Sequence, residues 1–465
     1  MTVIGSRNRL LRQAAYASFT IEDRRAAHRQ IAESLAAAEA DAPAALVAEH
    51  FQRAGDDALA RAIELGERSL DARLAPSVAV MARLVVAEAY RWRGDFARAR
   101  AHAVVARDLC PRGSIAWLRA TEEVISATRR TSEVALVLQI AHELTTIAAA
   151  PAAVASWARA VAAAARRLFQ TGHASVANDL LSRLLQLASV SGDLDDRARA
   201  EIARLGASRA RHHGDVAGDL RGYGEALRAL ERAGDLRGAA NARVSYAFAL
   251  VEVGDYRAAE TLLRQALLEA ERLGIASVAT RARQNLALTA AARGDLREAR
   301  ALAAAVIDEA MAGGDVRFEG WTRVYLASFD LREGDTAAAI DGARRAAAIL
   351  ADTPGAAGAL AILARALIRV GRPEEAIGPA LEAIRSVDAF GGLEEFELDV
   401  RVAHVEAEFA MGHRARAEAA LATAVSRVHA LARALPDRER RTFLDAVPAC
   451  RRLLDLGRVL GRGAG

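Results

Sequence analysis

The sequence predicts an all-α fold, a solenoid of about ten helix-turn-helix units with a period near 40 residues. Three observations predict it. A Gly, usually followed by Asp, recurs with helical sequence on both sides: Gly55-Asp56, Gly94-Asp95, Gly172-His173, Gly214-Asp215, Gly254-Asp255, Gly294-Asp295, Gly334-Asp335, Gly371-Arg372 and Gly412-His413. The steps are 39, 78, 42, 40, 40, 40, 37 and 41, and the double step implies a unit whose turn, near Arg130-Thr131, lacks its Gly. Alanine fills two columns around these turns. One is the fifth residue after the Gly: Ala60, Ala99, Ala177, Ala259, Ala299, Ala339, Ala376 and Ala417. The other is the seventh before it: Ala48, Ala87, Ala165, Ala207, Ala247, Ala287, Ala327 and Ala364. Finally, Ala makes up about a quarter of the 465 residues, and no stretch sustains the period-two alternation of a strand.

The chain divides into residues 1–40, outside the repeat, an array over 41–430, and a closing segment over 431–465. Within each unit the Gly ends the first helix in the left-handed conformation that a Cβ disfavours. The Asp after it caps the second helix by accepting backbone N–H bonds. The alanines sit where two helices approach closely. This pattern resembles the tetratricopeptide repeat, although that motif has a 34-residue period and a fuller aromatic set in its first helix, of which Tyr90, Phe96, Tyr246 and Tyr256 remain. Longer helices, a longer inter-repeat loop, or both would absorb the extra residues. The resemblance implies a right-handed superhelix whose concave groove is lined by first helices.

The two ends carry a second resemblance. Asn8 to Leu35 reads NRLLRQAAYASFTIEDRRAAHRQIAESL, and Ala44 to Asp56 reads AALVAEHFQRAGD. With Leu10, Leu11, Arg12, Ala14, Tyr16, Arg25, His28, Ile31, Ala32, Glu33, Leu35, Ala48, His50 and Phe51, these strings resemble the ATPase–solenoid junction of bacterial MalT-like, LuxR-type signalling ATPases (STAND class). Leu435 to Val459 resembles the closing segment of the same solenoids, with Pro436-Asp437 separating two helices and Phe443, Leu444, Val447, Leu453 and Leu454 covering the last repeat. The resemblance implies a sensor or scaffold part of such a regulator, without its P-loop ATPase or helix-turn-helix. That part is either free-standing or cut from a longer gene product.

Composition excludes several chemistries. All 63 basic residues are Arg and none is Lys, so no P-loop lysine, Schiff-base lysine or lysine base exists in this sequence. Against 59 acidic residues the net charge is 63 − 59 = +4, and no block of like charge forms a nucleic-acid patch. The longest uncharged stretch, Leu144 to Ala158, is too short to cross a bilayer and contains Pro151. Two isolated cysteines, Cys110 and Cys450, fit a reducing compartment, and the expected location is cytoplasmic. His212-His213 lies at a turn with no completing ligand, Gly222-Tyr223-Gly224 follows no strand, and the acidic run Asp193 to Asp196 lacks the distal Glu of a calcium loop. A non-enzyme without metal or cofactor is expected.

What remains is the groove. In the repeat frame Asn241, Arg281, Gln284, Trp321, Tyr325 and Arg332 are first-helix residues not directed at neighbouring helices. Trp321 and Tyr325 are four apart and share a helix face. Arg beside an aromatic surface suits a peptide carboxylate or a planar ligand, while the competing reading has the aromatic pair filling space after Gly313-Gly314. The expected partner is a protein or peptide held in the groove. The alternative is a small-molecule inducer, as implied by the MalT-like resemblance. Neither nucleic acid nor membrane is expected as a direct partner.

Overall fold

The computed structural model describes residues 58–461, apart from 71–74, 129–132, 148, 191–193, 352, 391 and 394. The junction strings before residue 58, the first turn at Gly55-Asp56 and the degenerate turn near Arg130-Thr131 lie outside the described residues. Among those described there are 21 α-helices and no strand. Helix α1 (Ala58–Leu70) is the second helix of unit 1. The next units pair α2 (Pro76–Arg93) with α3 (Phe96–Asp108), α4 (Ile115–Ala127) with α5 (Val134–Thr146), and α6 (Val154–Gln170) with α7 (Ala174–Val190). Then come α8 (Asp196–His212) with α9 (Val216–Arg232), α10 (Leu236–Glu252) with α11 (Tyr256–Arg272), and α12 (Ala276–Arg293) with α13 (Leu296–Ala312). The array ends with α14 (Val316–Glu333) and α15 (Thr336–Ile349), α16 (Ala356–Arg369) and α17 (Pro373–Phe390), and α18 (Glu397–Ala410) and α19 (Arg414–Ala434). The closing helices are α20 (Asp437–Ala446) and α21 (Pro448–Gly461).

Longer helices account for the period. From α8 to α14 every helix has 17 or 18 residues. Left-handed glycines recur at 214, 234, 254, 274, 294, 314 and 334, with φ between 63° and 97°. Turns between units are therefore built like turns within them. Gly234-Asp235 and Gly314-Asp315 repeat the Gly-Asp signal at the half-period; the sequence reading noted a turn at Gly313-Gly314 but counted neither as part of the series. At about 1.5 Å per residue, a 17-residue helix makes a wall about 25 Å deep.

The turn chemistry follows the sequence. Asp95, Asp195, Asp215, Asp235, Asp255, Asp295, Asp315 and Asp335 each accept a backbone N–H from the residue three places on. Of the alanine columns, the fourteen from Ala87 to Ala417 are all 0–1% exposed. Ala60 is the exception: it is exposed, and Ala62, two residues on, is the fully buried small residue of α1. Unit 5 has no Ala after its turn. Asp219 holds that position and pairs with Arg211 at 2.7 Å, while the neighbouring Gly222 lets the backbone of Ala203 and Ala207 approach.

The superhelix closes on itself. Besides its neighbours, α12 packs against α2, and α19 against α9. Both contacts join helices five units apart, so one superhelical turn takes about five units. Trp92 of α2 accordingly packs against the cluster formed by Ala240, Leu273 and Ile275. At the other end Arg427 binds Glu397 at 2.8 Å while its Nη2 lies 3.5 Å from the Gly214 carbonyl. The closing segment buries Leu435, Phe443 and Leu453 in one core with Leu398, Val402 and Leu431, and Leu444 and Val447 pack beside it. This segment does more than cover the last repeat. It also docks on the unit-6 turn, where a Cβ on Gly254 would lie 2.9 Å from the Thr442 carbonyl and 3.0 Å from Ala446, and Arg438 donates to Asp255 at 3.0 Å.

Candidate functional site

First helices line the inside of this closed superhelix, around a channel of ≈ 2370 Å³. The residue thirteen places before each turn glycine faces it in five consecutive units: Arg159, Glu201, Asn241, Arg281 and Trp321. Each helical turn adds a row on the same face. Arg204 and Gln284 stand one turn on, then Arg166, Ser208 and Phe248, then Phe169 and Arg211. One frame position therefore presents a different side chain in every unit.

Five of the six predicted residues line the channel. Arg281 donates Nη1 to Asn241 Oδ1 at 2.7 Å and Nη2 to Ser245 Oγ at 3.2 Å. Gln284 is buried and donates to Thr322 Oγ1 at 2.8 Å, tying α12 to α14. Trp321 and Tyr325 do share a face, but the loop before α18 covers them. Phe396 stacks on both rings, at centroid separations of 6.1 and 5.6 Å. Its φ of 63° is a strained left-handed value for a bulky residue. Tyr325 is 4% exposed, and its hydroxyl donates to the Glu395 carboxylate. Burial first, and then the Glu395 charge, push that phenol well above its ordinary range. Much of the aromatic surface expected for a ligand is thus occupied by the chain itself.

Arg332 is the correction. It lies outside the channel lining and donates to the Ala291 carbonyl at 2.6 Å, closing the C-terminal end of the preceding first helix. Arg369 does the same for Leu331 at 2.5 Å, and Arg167 for Thr128 at 3.1 Å. The carbonyls at a helix end lack intrahelical partners, so an Arg from the next unit serves structure there.

Sequence reasoning missed the arginine wall. Arg166 and Arg204 both bind Glu201, at 2.7 and 2.6 Å. Arg211 pairs with Asp219 and lies 4.7 Å over the Phe248 ring and 5.3 Å over Tyr223. Arg281 has no carboxylate partner among the described residues. Burial, with Arg204 and Arg211 nearby, pushes its pKa down to about 10, against a smaller opposing pull from Tyr223. Behind the wall Glu252 is pushed up to about 8 by burial and by the Glu395 charge. The frame positions of Arg166 and Arg204 were readable. Their convergence on one acid from α6 and α8 was not. His212 and His213 meet edge to face at 5.2 Å, and among the described residues no group of three His, Cys, Asp or Glu is placed to hold a metal. No described helix is long and apolar enough to cross a membrane.

No protein-family model matches this chain, and no curated protein matches it in sequence. Solved structures share its architecture, among them two with a TM-score above 0.5. One is a Rap protein complexed with Competence and Sporulation Factor, with TM-score 0.55 and 14% identity over 74% of this chain and 98% of that one. The other is NprR in complex with its cognate peptide NprX, with TM-score 0.54 and 11% identity over 74% and 98%. Identity this low speaks to fold alone. With the repeat frame, the buried alanine columns and these two structural neighbours, the chain is an all-α superhelical solenoid of tetratricopeptide-like repeats.

Proposed function

We propose that this protein is a non-catalytic receptor module that holds an extended peptide, or an extended segment of a partner protein, in its channel and regulates a bacterial signalling or transcription machine. The size of the channel carries the reading. Pockets for drug-sized molecules hold about 300–1,000 Å³, and this one is more than twice the upper figure. Its lining alternates charged, amide and aromatic side chains along a ladder of units, which suits a chain with different side chains at successive positions. Both structural neighbours named above are described as complexes, one of them with a cognate peptide. The contacts between units five apart supply a mechanism. A ligand that touches several first helices favours one curvature, and with it one state of the docked closing segment.

Volume also ranks the alternative lower, since a small inducer would leave most of the channel to water. Placement within a LuxR-type, MalT-like ATP-dependent regulator is a further proposal that rests on the end segments alone. The test is a library of fluorescent free-acid peptides titrated against the full chain, with small-angle scattering of any complex. Saturable one-to-one binding with a changed radius of gyration supports the proposal. Absence of peptide binding together with thermal stabilisation by a metabolite would overturn it in favour of the inducer.

A further inference from the structure

We propose that the channel contains a built anion subsite, formed by Arg281, Arg204 and Arg166, that takes a carboxylate of the bound chain. The clause "of the bound chain" rests on the peptide reading above, whereas the subsite itself does not.

Other channel arginines show what is unusual here. Arg91 meets Glu123 at 2.7 Å, Arg197 meets Asp235 at 3.1 Å, and Arg283 meets Glu271 and Glu309 at 2.8 and 2.9 Å. Each is neutralised within the wall. Among the described residues, Arg281 hydrogen-bonds only to the neutral Asn241 and Ser245. Arg166 and Arg204 divide one carboxylate between them, and the Nε of each is buried without a hydrogen-bond partner. Arg166 on α6 and Arg204 on α8 therefore have one carboxylate between them, and Arg281 on α12 meets none among the described residues. Helix α10, which runs between α8 and α12, contributes an amide and a hydroxyl and no acid to this part of the wall. The charges sense one another: Arg204 lowers the proton affinity of both Arg166 and Arg281.

A wall built only for stability would neutralise or omit such charge, because a desolvated guanidinium without a counter-ion is destabilising. The missing negative charge is one that a ligand can bring. A carboxylate matches the planar fork of Arg and gains charge-assisted, paired hydrogen bonds in a partly shielded site. The carboxylate can come from a chain terminus or from an Asp or Glu side chain, and three small probes separate these sources. N-acetylglutamate α-amide carries only the side-chain carboxylate, N-acetylglutamine only the main-chain one, and N-acetylglutamine amide neither.

The experiment titrates these probes calorimetrically into the full-length protein and its variants. We expect at least one carboxylate probe to bind about tenfold tighter than the neutral amide, equivalent to about 1.4 kcal/mol. Arg281→Gln abolishes that preference. Arg264→Gln, on an exposed outer helix, leaves it intact. If Arg281→Gln fails to fold, Arg204→Gln answers the same question. A melting scan without ligand adds a second readout, in which Arg281→Gln, losing two neutral hydrogen bonds and no ion pair, melts above Arg204→Gln, which loses its pair with Glu201. Equal binding of the neutral amide, tighter binding of inorganic phosphate than of either carboxylate, or a full carboxylate preference in Arg281→Gln would overturn the subsite. If the carboxylate preference holds but no library peptide binds, the peptide reading falls and the subsite stands. If peptides bind equally well as free acids, with or without acidic side chains, and as C-terminal amides that lack acidic side chains, the subsite falls and the peptide reading stands.

Discussion

Replacing Gly254 by Ala probes the closure of the superhelix, with Gly294→Ala as its matched control. Both glycines end a first helix in the left-handed region, at φ 82° and 89°, so the backbone penalty is common to both, about 1–2 kcal/mol. Their surroundings differ. A Cβ at Gly294 meets nothing within 4 Å. A Cβ at Gly254 meets the Thr442 carbonyl at 2.9 Å, Ala446 at 3.0 Å and Val447 at 3.3 Å, all in the closing segment five units on. Two of these lie at or below the closest approach a Cβ tolerates, and the nearest is rigid backbone. Forcing a methyl group into such a contact costs about 1–3 kcal/mol. The expected loss is therefore about 1–2 kcal/mol for Gly294→Ala and about 2–5 kcal/mol for Gly254→Ala. Repeat arrays need not unfold as one unit, so denaturant melts should be joined to hydrogen exchange resolved along the chain. Gly254→Ala should speed exchange in α20 and around the unit-6 turn, far apart in sequence, and Gly294→Ala only near its own turn. Equal losses, with unchanged exchange in α20, would refute the docking of the closing segment on unit 6.

Other expectations follow from the same geometry. Glu252 is raised to about 8 from an ordinary 4.5, so between those values the folded state holds a proton that the unfolded chain has shed; stability therefore falls as pH rises through that window, and thermal melts of Glu252→Gln should lose most of this slope. The shift corresponds to at most about 5 kcal/mol at 1.36 kcal/mol per unit, and solvent screening of this half-buried carboxyl makes about 1–3 kcal/mol a better expectation. Asp295→Ala removes a helix cap to Glu298 N at 3.0 Å and should cost about 1 kcal/mol by denaturant titration. Ala287→Leu puts three further carbons into a fully packed column position, 1% exposed, and should cost about 1–3 kcal/mol or more, whereas Ala60→Leu on the exposed face of α1 should be close to neutral. Phe396→Gly relieves a left-handed backbone but uncovers Trp321 and Tyr325; a red shift of Trp321 emission relative to the parent checks that the loop covers the aromatic pair.

Most of the fold was legible because its determinants are local. The left-handed Gly, the Asp cap and the alanine of close helix approach each act within about ten residues, and a repeat writes them many times over. The half-period turns were equally local: Gly313-Gly314 was read as a turn but not as part of the Gly-Asp series, and Gly234-Asp235 was missed because it falls between the expected markers. The channel was legible in part. Frame positions placed Asn241, Arg281, Gln284, Trp321 and Tyr325 on the inner face, since helix periodicity alone decides which face a residue occupies. The same frame misplaced Arg332, because a long side chain at a helix end can reach back to the carbonyls of the preceding unit.

The rest depended on contacts that no local rule contains. A small rotation per unit, summed over five units, brings Gly254 against Thr442 and α2 against α12, and a slight change in that rotation would leave these surfaces apart. Packing between nearer units sets Phe396 on Trp321, converges Arg166 and Arg204 on Glu201, and leaves Arg281 without an acid among the described residues. The sequence by itself determined the unit and its inner face, through the chemistry of single turns. The tertiary structure decided which units meet and which charges remain unbalanced, because pairing across the superhelix is a property of the summed geometry.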